Sequence, residues 1–258
     1  MSEFLKVEQP YPGIAVMSLN RPEVKNALSI ELMKAMISSI RDIQENPDER
    51  ILIMRGEGGV FCTGLDLKES MDLNSAEESA NMIAALLREV CLSRLITIAS
   101  VESYALAGGA GLSSVCDYVL SESKARFGFP EVHRGLVPSI VLTLLRRQLK
   151  ERDMRELFLF GKNVSAERAR EMGLVNQVIE SDSLHQETLD FAKKALKGAP
   201  SAVAHVKKLI EHFYLSHFEE DLNHALSLHK VARSHYEFQE GIQSFMEKRN
   251  PSWYPEDL

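Results

Sequence analysis

An apolar, β-rich run from Ile96 to Val101 stops in a cluster of small residues, Ala107 to Gly111. An apolar segment with helical spacing (Leu112, Val115, Cys116) starts at once. No other stretch constrains the chain so tightly. Glycines at such a junction let a backbone-scale group of another molecule approach, because no β-carbon blocks it. The free N–H groups of the new helix's first turn then face whatever arrives. That is a place to hold negative charge developing on oxygen. About twenty residues further on, a lone acid, Glu131, follows Pro130 in an otherwise apolar setting.

The same strand-then-helix alternation recurs around this stretch. Ile14 to Leu19 reads as a short strand closed by Asn20-Arg-Pro. Ser29 can cap a helix whose apolar face is Leu32, Met33, Met36, Ile37, Ile40 and Ile43. Ile51 to Met54 is continuously apolar, which suits a sheet covered on both faces. Ser75-Ala-Glu-Glu78 has the form of a capping box ahead of Met82, Ile83, Leu86, Leu87 and Val90. Tyr118 to Leu120 adds another strand. The expectation is an α/β fold with a largely parallel sheet.

Past Glu131 the pattern turns helical. Helices are expected over Val141–Leu149 and Met154–Phe160, and from a Ser165 cap to Gly173, with a last strand at Val175–Ile179. The helix expected from Glu219 to Phe238 carries Leu222, Ala225, Leu226, Leu228 and Val231. That is more apolar surface than one terminal helix usually hides alone. This shift in character divides a core at residues 1–195 from a helical region at 196–258 that packs on itself or on another subunit, the latter making it an oligomerisation region.

Composition removes several function classes. A net charge of −7 argues against nucleic acid as a partner. No run reaches the ~18 apolar residues of a membrane span, and the N-terminus resembles neither a signal nor a transit peptide. Cys62, Cys91 and Cys116 cannot all pair internally and lack metal-ligand spacing. They fit free thiols in a reducing, cytoplasmic setting, with no metal site.

Four segments in order resemble the crotonase (enoyl-CoA hydratase/isomerase) superfamily. They are Leu19-Asn-Arg-Pro-Glu-Val-Lys-Asn-Ala-Leu28, Phe61-Cys-Thr-Gly-Leu-Asp-Leu-Lys68, Tyr104-Ala-Leu-Ala-Gly-Gly-Ala-Gly-Leu112 with Cys116-Asp117, and Phe127-Gly-Phe-Pro-Glu-Val-His-Arg-Gly-Leu-Val-Pro138. Segments running from Gly161 to Asn176 and from Gly241 to Arg249 are also similar to it. The resemblance covers essentially the whole chain, near the bacterial methylglutaconyl-CoA-hydratase-like branch.

It implies a spiral of ββα turns with a C-terminal helical trimerisation region, assembled as a homotrimer or a dimer of trimers. It also implies an acyl-CoA substrate, so that coenzyme A arrives with the substrate and no separate cofactor is needed. The matching oxyanion donors are the N–H groups of Leu65 and Gly108. Removing one such donor typically costs about 3–4 kcal/mol. Tight strand-on-helix packing is the alternative account of Gly108 and Gly109, and the context favours the functional one. Gly64, Leu65, Asp66 and Lys68 match the loop that cradles coenzyme A, with Asp66 fixing that loop. Lys25 and Lys68 can meet phosphates, and Lys248 can do so from a neighbouring subunit. Glu131 matches the catalytic acid/base. Cys62 is expected to pack rather than react, and His133 to face solvent.

One departure bears on the chemistry. Hydratases of this family commonly carry a second glutamate at the start of the glycine-rich helix, and here that position is Gly111. One carboxylate suffices to carry a proton between the α and γ carbons, as in an isomerase, whereas adding water with one is harder. Some members of the hydratase branch also have glycine there. Enoyl-CoA hydratase is the first expectation. An enoyl-CoA isomerase, a decarboxylase using the same enolate, and an acyl-CoA-binding paralogue without turnover are the alternatives. Ser139-Ile-Val-Leu-Thr stands where many hydratases are glycine-rich, so bulkier side chains reshape the acyl pocket.

Overall fold

Two strands, β1 (Leu5–Tyr11) and β2 (Ile14–Leu19), form an antiparallel hairpin that turns at Gly13, where φ is +81°. From β2 the sheet continues in parallel through β3 (Ile51–Gly56), β4 (Ile96–Val101), β6 (Tyr118–Glu122) and β9 (Gln177–Ile179). The structure, a computed structural model, describes residues 3–71, 73–214 and 217–254. β1 was not expected from sequence. Its residues after Leu5 are mostly exposed and polar, which is how an edge strand differs from a central one.

The central strands bury both faces. Ala15, Met17, Leu52, Met54 and Ala99 join the large core, while Ile14, Val16, Ile51, Ile53 and Ile98 pack in a second cluster with Leu184 and Ala192. The continuous apolar runs are therefore two-sided, as parallel strands require. On the large-core side lies α1 (Ile30–Glu45), whose first turn is capped by Ser29 Oγ accepting the Leu32 N–H at 3.2 Å. Beside it lies α3 (Leu73–Cys91), preceded by the short α2 (Leu67–Met71). The capping box expected at Ser75–Glu78 is not used. The helix already starts at Leu73, and Glu78 pairs instead with Lys34 on α1. Glu89 likewise pairs with Arg41.

A second, three-stranded sheet positions the site. β5 (Tyr104–Leu106) runs parallel to β7 (Arg126–Gly128), with β8 (Val164–Ser165) antiparallel to it. Leu106 faces Gly128 in the register, and the Ala107 N–H extends the ladder to the Gly128 carbonyl at 2.8 Å. Both strands thus end side by side. One passes into α4 (Gly108–Ser114), the other into a 3-10 turn at Pro130–Arg134.

Helices α5 (Ser139–Leu145), α6 (Glu151–Phe160), α7 (Ala166–Met172) and α8 (Leu184–Ala195) follow. Ser165 caps α7 and Gly173 ends it at φ +95°, as expected. α9 (Pro200–Tyr214) is pinned by buried Lys207, which donates to the Leu95 carbonyl and to Asp117. The single helix expected over Glu219–Phe238 is two, α10 (Phe218–Ser234) and α11 (Tyr236–Glu247). His235 is extended (ψ +145°) and turns the chain, so that α11 lies back across the Pro130–Arg134 turn. Among the described residues, no helix is long and apolar enough to cross a membrane. Nor, among the described residues, does any cluster of three or more His, Cys, Asp or Glu have the arrangement to hold a metal.

Candidate active site

The loop carrying Gly64 and Leu65 is held by two short bridges, one to β5 and one to Leu28. Cys62 receives and gives a backbone hydrogen bond to β5 (Cys62 N–H to Tyr104 O, Leu106 N–H to Cys62 O, each 3.0 Å). Leu28 donates to Gly64 O at 2.8 Å and accepts from Asp66 N–H at 3.0 Å. In that pattern the intervening Leu65 turns its own N–H to the opposite side of the loop. Gly64 sits at φ +95°, and a β-carbon there would stand 2.7 Å from Ala107 Cβ and 3.2 Å from Gly108 N. Only glycine permits this approach. Ala107 is held at φ +51°, ψ −128°, a region an L-residue rarely occupies. It aims the first turn of α4, whose Gly108 N–H has no partner within the helix.

Gly108 and Gly109 separate into two roles. A β-carbon on Gly109 would stand 2.8 Å from Cys62 Cβ, so that glycine serves packing. At Gly108 the nearest atoms would lie 3.6 Å away, an ordinary contact, and the residue lines the cavity. Cys62 is buried, with its thiol pushed up to about 12 by desolvation, as a packing residue should be.

That cavity has a volume of about 460 Å³ and is lined by Leu65, Gly108 and Glu131 together. Glu131 follows Phe129, which is fully buried and stacked on Phe158 at 4.5 Å. Its Oε2 is buried and has no hydrogen-bond partner among the described residues. Burial pushes its pKa up to about 7, against the opposing pull of its own backbone N–H and of Arg134. The turn is backed by α11 at van der Waals distance. A β-carbon on Gly135 would stand 2.8 Å from Phe238 N, and one on Gly241 2.7 Å from Arg134 Cα.

Lys25, Asp66 and Lys68 also line the cavity, on its Thr63–Lys68 side. Asp66 accepts from Arg21 at 3.0 Å and from the Lys68 N–H at 3.1 Å, an arrangement that shapes its loop. Lys25 lies 5.9 Å from the Tyr104 ring centre. Lys248, the left-handed C-cap of α11, is exposed and is not among the lining residues. His133 is exposed, as expected.

Gly111 lies on the buried face of α4 against α5. A β-carbon there would stand 2.7 Å from Val141 Cγ2. Ile140 and Val141 line the cavity, so the bulky segment expected to reshape the acyl pocket does border it.

The profile of the enoyl-CoA hydratase/isomerase family matches residues 9–256. The chain belongs to that family. A mevalonyl-coenzyme A hydratase of Aspergillus fumigatus is 32% identical over 98% of this chain and 95% of its own length. Enoyl-CoA hydratase domain-containing protein 3 of Mus musculus is 32% identical over 93% of this chain and 81% of that protein. The crystal structure of an enoyl-CoA hydratase from Mycobacterium avium superposes with a TM-score of 0.88 at 30% identity, covering 98% of this chain and all of the other. The fold is the crotonase fold.

Within this family fold, three charged or titratable residues among the described lining escaped the sequence reading: Arg134, His229 and Arg233. The buried stripe of α10 runs through Leu222, Ala225, His229 and Arg233, none more than 7% exposed. Leu228 and Val231, assigned to the apolar face from sequence, are 45% and 66% exposed. The signal was present in the spacing, because 222, 225, 229 and 233 follow the helical repeat. Two polar residues on a core stripe are the anomaly to notice.

Arg233 Nε donates to His229 Nε2 at 2.9 Å. That nitrogen must therefore be unprotonated, which leaves Nδ1–H to donate to the Val137 carbonyl at 3.4 Å. Burial and the Arg233 charge push the imidazole down to about 4. His229 is a neutral strut with both nitrogens engaged, and not a second acid.

Proposed function

We propose that this protein is an enoyl-CoA hydratase, adding or removing water across the 2,3 double bond of an acyl-CoA thioester. One observation carries the reading: a buried carboxylic acid with its pKa near 7 shares a cavity with two backbone N–H groups freed by loop geometry. The thioester oxygen would sit between the N–H groups of Leu65 and Gly108, which stabilise the enolate. The hydratase names carried by relatives that match nearly end to end support the same reading.

With one carboxylate the steps close as follows. Glu131 takes a proton from water as the water oxygen bonds to C3, and the double-bond electrons move onto the thioester oxygen. The enolate then collapses, and C2 takes the proton from Glu131. An acid whose pKa lies near the working pH can perform both transfers. Coenzyme A would arrive as part of the substrate, and Lys25 and Lys68, which line the cavity, would meet its phosphates.

A second reading, enoyl-CoA isomerisation, is favoured by Gly111 and Val141, which leave Glu131 to move the proton alone. Incubation with crotonyl-CoA and with 3-hexenoyl-CoA separates the readings. Loss of the conjugated thioester chromophore from the first means hydration. Its appearance from the second alone means isomerisation and overturns the hydratase reading. Coenzyme A binding without either change would mark a non-catalytic paralogue.

We also propose that the chain works as a homotrimer or a dimer of trimers, with residues 196–258 supplying the contacts around the core of 1–195. The support is the outer face of α9, where Val206, Leu209, Ile210, Phe213 and Tyr214 are 49–71% exposed at helical spacing.

A further inference from the structure

We infer that Arg134 is a positioning residue for Glu131 and that α11 holds it in that role: pinned on the Phe245 ring, its guanidinium stands beside the acid without closing on it. The inference rests on the reading of Glu131 as the acid/base of an acyl-CoA site and names what controls its proton.

The first argument is register. Glu131 and Arg134 belong to one 3-10 turn, Pro130–Arg134, in which residues three apart leave on the same face. Both line the cavity. An acid and a guanidinium so placed ordinarily close into a contact pair. Here Glu131 Oε2 and Arg134 Nε are both buried, and among the described residues neither atom has a hydrogen-bond partner.

The second argument is what keeps the two apart. The guanidinium carbon of Arg134 lies 4.3 Å from the centre of the Phe245 ring, a cation–π contact with α11. One turn earlier on that helix, Gly241 lets its backbone come against Arg134, where a β-carbon would stand 2.7 Å from Arg134 Cα. Successive turns of α11 thus clamp the main chain of Arg134 and then its side chain.

The third argument is chemical. Glu131 has to take a proton and give it back within one turnover. Burial alone disfavours its carboxylate form, whereas a contact pair with arginine would favour that form so strongly that no proton remained to return. A cation held at stand-off lies between these limits: burial prevails and Arg134 opposes it. The other charges around the turn are committed elsewhere. On α6, Glu151 is bound by Arg155, and Asp153 and Glu156 by Arg168. On α11, Glu240 and Glu247 are bound by Arg249, and Glu237 faces His235. On the turn itself His133 contacts the Phe160 carbonyl. Across the cavity, neutral His229 engages Arg233 Nε, and Lys25 and Lys68 stand with Asp66 on the Thr63–Lys68 side.

The test follows the proton on Glu131 without substrate, by difference infrared spectroscopy of its carboxyl stretch, with Glu131→Gln assigning the band. The wild-type midpoint should lie near pH 7. Arg134→Met keeps the bulk and removes the charge, and should move the midpoint up by about one unit, tenfold in the acidity constant. Phe245→Leu releases the guanidinium to close on the acid, and should move the midpoint down by about as much. General loosening of the turn would move both variants the same way. Arg134→Lys should fall between wild type and Arg134→Met. An unmoved midpoint in Arg134→Met would overturn the role of Arg134, and an upward shift in Phe245→Leu would overturn the role of α11. Thermal melts check folding, and should Arg134→Met not fold, the sign of the shift in Phe245→Leu decides alone. The expected shifts in a protein that binds acyl-CoA but converts neither enoyl thioester would overturn the acid/base reading and leave the control by Arg134 supported.

Discussion

Gly111 and Val141 occupy each other's space: a β-carbon on the glycine would lie 2.7 Å from one valine methyl and 3.2 Å from the other. The position where relatives commonly carry a second glutamate is thus closed by a side chain on the next helix. Gly111→Glu alone should destabilise the fold by about 2–4 kcal/mol, since it overpacks and buries a charge. Combining it with Val141→Gly should restore much of that loss and raise hydration relative to isomerisation. Thermal melts and product ratios from the two enoyl thioesters check both points. A double variant no better folded than the single one would show that Val141 is not the obstacle.

The raised pKa of Glu131 makes a kinetic prediction. On the hydratase reading, its carboxylate form would be the base that removes the α-proton during dehydration of 3-hydroxybutyryl-CoA. kcat/KM in that direction should therefore rise with pH and level off above about 7. Glu131→Gln should lower it by at least about a thousandfold, while the dissociation constant for a saturated acyl-CoA stays within a few-fold. A flat pH profile between 5 and 9 would contradict the assignment.

The same shift predicts a stability effect of known sign. A carboxyl group whose pKa is higher in the folded state than its ordinary 4.5 favours the fold fully below pH 4.5, and that contribution fades as pH rises through about 7. The melting temperature of Glu131→Gln relative to wild type should therefore increase between pH 5 and pH 8. The limiting difference is on the order of 3 kcal/mol.

Gly108 and Gly109 can be told apart by stability. Gly109→Ala pushes a methyl group into Cys62 and should cost about 1–3 kcal/mol. Gly108→Ala meets only ordinary contacts and should melt within about 1 kcal/mol of wild type. Equal losses from the two, measured by urea denaturation, would show that Gly108 is also held by packing.

Much of this architecture was legible in sequence because it is local. Ser29 and Ser165 cap the helices they precede, and the runs at Ile51 and Ile96 are strands, since caps and periodicity depend on neighbours in the chain. The juxtaposition of Gly108 and Glu131 is not local. It depends on the parallel pairing of β5 with β7, two three-residue strands too short to carry a period. The Ser75 capping box failed for a related reason. The chain is already helical two residues earlier, and Glu78 finds Lys34 on another helix. His229 and Arg233 were missed because the apolar neighbours Leu228 and Val231 suggested a different face for α10. Which face is buried was decided by the packing of α10 on α5 and α3.

The outer face of α9 offers the last prediction. Buried Lys207 fixes the inner side of this helix by its contacts to the Leu95 carbonyl and to Asp117, so the outer apolar residues cannot be turned inward to escape water. Phe213 and Leu209, 71% and 53% exposed, should lie at the centre of any contact between copies of the chain. Leu209→Glu with Phe213→Glu should convert the proposed oligomer to monomer in light scattering at micromolar concentration, with little change in the far-ultraviolet circular dichroism. If Lys248 reaches the coenzyme of a neighbouring subunit, the same variant should weaken acyl-CoA binding by about as much as Lys248→Ala does. A wild-type protein that is already monomeric would contradict both the assembly and the role of Lys248.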